Sequence, residues 1–109
     1  MSISKELLSE VLGCKLDIDE QLQPNDIEYI EKVGSRLYYR YINIYELQNK
    51  CKEWALLNDY SCMSRPRLFG GWLSELMSDY GVEDTQFDAD SEPEVVFKAC
   101  QWILKYKDK

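Results

Sequence analysis

Histidine is absent from this chain of 109 residues. Histidine is the side chain whose unperturbed pKa lies closest to neutral pH, so acid–base catalysis here would need a carboxylate, Cys, Tyr or Lys shifted by burial. A glycine-rich phosphate loop and a nucleophile elbow are also missing, and the pair Gly70-Gly71 belongs to neither motif. These absences predict a protein without enzymatic activity and without a cofactor.

Paired cysteine motifs and long apolar runs are missing as well. Cys14, Cys51, Cys62 and Cys100 include no CxxC pair, so their spacing does not predict a zinc site. The start, MSISKELLSEVLG, has no apolar core run, and no stretch approaches the roughly 18 apolar residues of a membrane-spanning helix. We therefore expect a cytoplasmic protein with reduced thiols, no metal and no membrane partner.

The composition that remains is that of a globular protein. Hydrophobic residues make up 45% and aromatic residues 13% of the chain, and its length fits a single domain over residues 1–109. The formal net charge is −7. This charge argues against an overall attraction to nucleic acid or to anionic membranes, and it permits binding to a basic protein surface.

Alternating apolar and polar residues predict strands in the first half. Residues 14–20 form one such pattern, followed by a loop over 21–25, and the patterns recur at 26–33 and 36–42. Gly34-Ser35 separates the last two. Glycine at the first central position favours a two-residue type II′ turn, so these strands are expected to form a hairpin.

Helical spacing of apolar residues predicts helices at 3–12 and 44–58, and Ser91 with Glu94 forms a capping box before a last helix. Residues 60–65 and 85–89 favour strands, while 72–80 fit a helix or a strand. The predicted order is α-β-β-β-α-β-(α or β)-β-α. It indicates an α+β fold in which two to four helices pack on an antiparallel sheet.

Two acidic blocks contain no Lys or Arg. The first lies within residues 17–31 and the second is VEDTQFDADSEPE, residues 82–94. If the fold brings them onto one face, they could mimic a phosphate backbone. The competing interpretation is two solvated loop regions. The acids without a capping role that we single out for partner binding are Glu83, Asp84, Asp88 and Asp90, with Asp26, Glu28 and Glu31.

Aromatic and basic residues suggest two further surfaces. Phe69 and Trp72 flank Gly70-Gly71 and could anchor an interface, although core packing is the more common fate of a tryptophan such as Trp72. Arginines lie beside aromatic residues in two places, a composition used to stack bases. These arginines are Arg36, Arg40, Arg65 and Arg67.

Three segments resemble short uncharacterised proteins encoded by bacteriophages and prophages, of the phage sandwich-domain type. The segments are MSISKELLSEVLG, INIYELQNKCKEWAL and SEPEVVFKACQWIL, at residues 1–13, 42–56 and 91–104. The resemblance implies helices packed on an antiparallel sheet, a phage accessory context within the host cytoplasm, and no activity of its own.

Three functional hypotheses follow. The first is a small acidic binding protein that occupies a basic site on a host or phage protein, in its sharp form an inhibitor of a nucleic-acid-binding host system such as a CRISPR effector. The second is an assembly module that forms a homodimer through Phe69 and Trp72. The third, disfavoured by the net charge, is direct nucleic-acid binding through the four arginines.

Overall fold

Nine elements of secondary structure follow one another in the computed structural model, which describes residues 3–13, 21–22, 26–78 and 81–106. In chain order they are α1 (Lys5–Leu12), β1 (Gln21–Leu22), β2 (Asp26–Val33), β3 (Arg36–Asn43), α2 (Ile44–Leu57), β4 (Tyr60–Pro66), β5 (Trp72–Ser78), β6 (Gly81–Ala89) and α3 (Glu92–Tyr106). All strand pairs are antiparallel. The predicted α+β class is therefore confirmed.

The strands form two sheets rather than the one expected from the sequence. Sheet 1 has the order β1-β2-β3 and sheet 2 the order β4-β5-β6. Helix α2 follows β3 directly and carries the chain away before β4 begins, so the two strand groups do not join. The strand predicted over 14–20 lies outside the described residues. Residues 21–22, predicted as loop, pair with β2.

The β2–β3 hairpin matches its prediction. The two strands pair without a register break from Asp26 with Asn43 to Val33 with Arg36, and Gly34-Ser35 makes the turn between them. Gly34 has a φ of 62°, while no positive φ occurs at Ser35. A positive φ at the first central residue alone is the requirement of a type II′ turn, and glycine meets it without steric cost.

Strand β5 resolves the ambiguous segment 72–80 in favour of a strand for residues 72–78. It is the central strand of sheet 2, paired with β4 on one side and β6 on the other. Ser74 and Leu76 alternate into the interior and are fully buried. The Ser74 hydroxyl donates to the Val95 carbonyl of α3 at 3.1 Å, which ties the sheet to the helix. Local apolar spacing could not show that neighbouring strands were available on both sides.

The core lies between the helices and sheet 2, and Ile27 and Ile42 of sheet 1 also belong to it. Helices α2 and α3 pack on each other, α2 contacts β4, and α3 contacts all three strands of sheet 2. Helix α1 adds Leu7 and Leu8, both fully buried. It begins after Ser4, whose hydroxyl accepts from the Leu7 amide at 3.2 Å, and is followed by Gly13 in the left-handed conformation that commonly ends a helix. Among the described residues, the far half of the β2–β3 hairpin projects beyond this core, with exposed side chains along β3.

Candidate protein-binding site at the 67–71 loop

The five residues that connect β4 to β5, here called the 67–71 loop, form a closed turn. The Arg67 amide donates to the Gly71 carbonyl at 2.9 Å, and the Gly70 amide donates to the Arg67 carbonyl at 3.3 Å. Gly70 and Gly71 both have positive φ, at 106° and 79°. A Cβ on Gly71 would lie 3.1 Å from the Ala89 carbonyl oxygen of β6. Glycine at position 71 therefore allows the loop to lie close against the last residue of β6.

Two apolar side chains occupy the tip of this loop. Leu68 is 90% exposed and Phe69 is 97% exposed. Burying an apolar side chain of this size contributes about 1.5–3 kcal/mol, so leaving both in water gives the folded monomer nothing. The backbone hydrogen bonds hold the tip in place before any partner arrives, which lowers the entropy cost of binding. The tip, Leu68 and Phe69, is thus an ordered and exposed apolar protrusion, here called the knob.

A cleft of about 340 Å³ opens beside the loop, between it and the start of α3. Its charged side chains are Arg67, Asp88, Asp90, Glu94 and Lys98. Arg67 forms an ion pair with Asp88, and the Lys98 ammonium donates to the Asp88 backbone carbonyl at 2.8 Å. No ion pair within the described part of the chain involves Asp90 or Glu94. The rim of the knob therefore keeps two carboxylates available for a cation on a partner.

A half-buried polar network fixes where α3 begins, and so where the cleft lies. The Glu92 carboxylate accepts from the Gln48 amide at 2.5 Å and from the Ser64 hydroxyl at 2.8 Å. The Lys52 ammonium donates to the same Ser64 oxygen at 2.9 Å. Gln48 must turn its NH₂ group toward the carboxylate, which leaves its own Oε1 buried without a hydrogen-bond partner. The network links α2, β4 and α3.

The acids predicted for partner binding are divided between the two sheets. Asp88 and Asp90 lie at the cleft beside the 67–71 loop. Glu28 and Glu31 lie on β2, three residues apart, so they point to opposite faces of sheet 1. The Glu31 carboxylate is also paired with Arg40 at 3.3 Å. The backbone of β6 contains Glu83 and Asp84 and that of β2 contains Asp26, but their side chains lie outside what the structure describes.

The two predicted aromatic anchors have different environments. Trp72 is the first residue of β5 and packs half-buried against the core, whereas Phe69 stands in solvent. The exposed ring at this end of the molecule is therefore that of Phe69. Leu68, which the sequence did not single out, is exposed beside it. Its signal was an apolar pair between Arg67 and two glycines, in a segment whose turn residues predict a polar surface.

The four arginines do not form one surface. Arg65 lies on β4 of sheet 2 and pairs with Glu75 at 3.3 Å, and Arg67 lies in the 67–71 loop and pairs with Asp88. The other two lie on β3, where the Arg40 guanidinium stands 5.5 Å from the centre of the Tyr38 ring. Exposed tyrosines accompany them on β3. Arginine beside exposed aromatic residues thus occurs at two separate places, the hairpin and the 67–71 loop.

Three of the cysteines converge in the core. Cys51, Cys62 and Cys100 are free and buried, and the Cys100 thiol donates to the Cys51 carbonyl at 3.5 Å. A hydrogen bond with Cys100 and burial raise the pKa of Cys62 far above its usual range, and a hydrogen bond with Cys51 and burial raise that of Cys100. Cys14 lies outside the described residues. Among the residues that are described, no group of Cys, Asp or Glu side chains could hold a metal ion.

No protein-family model, no curated protein and no solved structure matches this chain. The resemblance to phage-encoded proteins therefore stays a prediction. Within the segments described above, no helix is both long and apolar enough to cross a membrane.

Proposed function

We propose that this protein acts by binding another protein, without catalysis of its own, and that the 67–71 loop is the anchor of that contact. The observation that carries the proposal is the pair Leu68 and Phe69, which are almost fully exposed on a loop closed by its own hydrogen bonds. Large apolar groups that fill a pocket on the partner dominate the free energy of many interfaces. An ordered loop presents them at low entropy cost.

The charges around the knob favour a partner with a basic rim. Asp90 and Glu94 line the cleft next to the loop and form no ion pair there. Opposite charges across the edge of an interface speed association and fix orientation more than they add affinity. The proposed partner therefore offers an apolar pocket for Phe69, bordered by Lys or Arg. This matches the expectation of a basic surface on a host or phage protein.

The sharper hypothesis, inhibition of a nucleic-acid-binding host system by mimicry of a phosphate backbone, rests on the two acidic blocks that contain no Lys or Arg. It needs free carboxylates on one face. Asp88 and Glu31 are paired with arginines, and Glu28 points away from Glu31. Contact through the loop is therefore the mode that the geometry supports best, and a nucleic-acid-binding protein is one class of partner it could engage.

The experiment is a comparison of variants in affinity capture from the cells that naturally produce the protein. We expect the double variant Leu68→Ser/Phe69→Ser to lower the affinity for the captured partner at least about tenfold, because a central apolar anchor is lost. Leu57→Ser is the matched control, since Leu57 is 84% exposed on α2, outside the loop. Equal capture by wild type and by both variants would reject the loop as the anchor.

The acidic rim is tested by the same capture with Asp90→Asn/Glu94→Gln. We expect a smaller loss of affinity that shrinks as salt is raised, because exposed charges are screened.

Replacing Glu83, Asp84, Asp88 and Asp90 together by their amides tests the mimicry hypothesis. If this change abolishes capture while the loop variant does not, mimicry and not the loop carries the function.

A further inference from the structure

Within the described residues, one edge of β3 has no strand paired with it. The strand pairs with β2 over all of its residues without a bulge, and no other described strand pairs with its opposite edge. Such an edge presents a row of unsatisfied N–H and C=O groups, and natural proteins usually protect it with Lys, Pro or a bulge. Strand β3, RLYYRYIN, contains none of these. One of its two charged residues, Arg40, is already paired with Glu31 inside the hairpin.

An apolar row lies next to this edge. Leu37, Tyr39 and Tyr41 alternate along β3 and therefore share one face of sheet 1. Tyr39 is 77% exposed and Tyr41 is 68% exposed, and Leu37 is nearly half exposed. Tyrosine is among the residues enriched at protein interfaces. A strand added to the edge would satisfy the backbone and cover this row at the same time.

We infer that the occupant of this edge is a second copy of the chain, paired through its own β3 in antiparallel orientation about a two-fold axis. The local charge of the hairpin favours a second copy of the chain as the occupant of this edge. Residues 26–43 hold three acids (Asp26, Glu28, Glu31) and three bases (Lys32, Arg36, Arg40), so the net charge of −7 lies entirely outside the hairpin. Two copies of an acidic protein approach with least repulsion where the local charge is zero. The result is one continuous sheet of six strands across the dimer.

The hydrogen bonds of the hairpin restrict the register of this pairing. Val33 and Arg36 flank a two-residue turn and pair with each other, so the even-numbered residues of β3 direct their N–H and C=O groups toward β2. The odd-numbered residues direct theirs to the open edge. Only odd-numbered residues can therefore exchange hydrogen bonds with odd-numbered residues of the second copy. Because the midpoint between two odd residue numbers is always a whole residue number, the two-fold axis must pass through a residue position and not between two residues.

Two registers keep nearly the whole strand paired, one centred on Tyr39 and the other on Arg40. The axis at Arg40 would place two arginines directly opposite each other, which is destabilising. The axis at Tyr39 pairs the two Tyr39 rings, sets Leu37 opposite the second copy's Tyr41, and sets Tyr38 opposite the second copy's Arg40. The last pair repeats between copies the contact that Arg40 makes with Tyr38 within one chain. The register centred on Tyr39 is therefore favoured.

Disulfide trapping tests both the dimer and its register. Tyr39→Cys, made in a Cys14→Ser background, places a thiol on the proposed axis, and mild copper-catalysed air oxidation should yield covalent dimers on a non-reducing gel. Tyr41→Cys is the matched exposed control and should form few, because it faces position 37 of the second copy. Arg40→Cys forms dimers faster than Tyr39→Cys only in the alternative register. Equal trapping at 39, 40 and 41 would overturn the proposal.

Light scattering of the unmodified protein over a concentration series gives the second readout. We expect the mass to rise to that of two chains. Tyr39→Pro should return it to one chain with the fold retained, because the amide of residue 39 faces the open edge and not β2. A monomer at every concentration, or a dimer that Tyr39→Pro leaves intact, would overturn the proposal. Neither readout involves the 67–71 loop, so failure here leaves the proposed function standing.

Discussion

At the scale of single residues, the buried cysteines show how position in the fold decides chemistry. Cys62 and Cys100 lie close together, and the pKa of each thiol is raised. A hydrogen bond with Cys100 is the main cause at Cys62, a hydrogen bond with Cys51 is the main cause at Cys100, and burial adds to both. A thiolate is the reactive form of cysteine, so these thiols are inert at neutral pH. Cys51, Cys62 and Cys100 are all buried and pack as small hydrophobic residues of the core.

These raised pKa values predict a loss of stability at alkaline pH. Unfolding allows both thiols to ionise once the pH exceeds about 8.5, the pKa of a thiol in an unfolded chain. Below that pH both thiols are neutral in the folded and the unfolded chain, so they do not lower the free energy of unfolding. Above it, the free energy of unfolding falls by about 1.4 kcal/mol per pH unit for each thiol. Urea unfolding between about pH 7 and about pH 10 measures the slope. Cys62→Ala/Cys100→Ala should flatten it, and an unchanged slope would contradict the assignment.

Phe69 and Trp72 show when the exposure of a side chain can be predicted from sequence and when it cannot. Phe69 was identified from its place beside Gly70-Gly71, a recognisable turn signal. Trp72, three residues further along the chain, was named as a possible anchor for the same reason, but it packs against the core. The difference arises because Trp72 opens a strand whose side chains alternate inward, and strand pairing with β4 and β6 is a long-range property. Local pattern alone does not contain it.

At the scale of elements, the polar network around Glu92 links three parts of the chain that are far apart in sequence. Gln48 comes from α2, Ser64 from β4 and Glu92 from the start of α3. From local sequence alone Glu92 needs no such partners, because a negative charge in the first turn of a helix is already favourable. The signal that could have found this network is Gln48, a polar residue on the buried face of an amphipathic helix. Such a residue needs a partner.

This network predicts a specific cost for one hydroxyl group. Ser64→Ala removes a donor to Glu92 and the acceptor of Lys52, so we expect the free energy of unfolding to fall by about 1–3 kcal/mol in urea titration. Ser61→Ala, on the exposed face of the same strand, is the control and should change it by less than about 0.5 kcal/mol. Equal effects of the two changes would show that the network contributes no stability.

Element boundaries were predicted best where a local rule applies. The strands 26–33 and 36–42, the turn at Gly34 and the start of α2 after Asn43 follow from alternation, turn chemistry and capping. The Asn43 side chain accepts from the Tyr45 amide at 2.9 Å, as a cap should. Strand β6 extends well beyond the predicted 85–89, because pairing with β5 continues to Gly81. The length of this strand is set by its pairing with β5, which the local sequence pattern does not reveal.

At the scale of the whole molecule, charge and apolar surface are segregated. The net charge of −7 arises outside the hairpin, while exposed apolar side chains lie on β3, on the 67–71 loop and at the end of α2, where Leu56 and Leu57 are exposed. The acidic blocks are continuous in sequence but divided between two sheets in space. Because of this division, the acidic composition alone could not locate a contact surface for the proposed binding function. The loop and the β3 edge are the two surfaces that remain to be matched with partners.

The most direct test of the central claim is site-specific photo-cross-linking in the cells that naturally produce the protein. The photoreactive residue p-benzoylphenylalanine is placed at Phe69 in one variant and at Leu57 in the other, both highly exposed. We predict a discrete adduct with one other protein from position 69 and none from position 57. No adduct at 69, or the same adducts from both positions, would contradict the claim that the 67–71 loop is where this protein meets its partner.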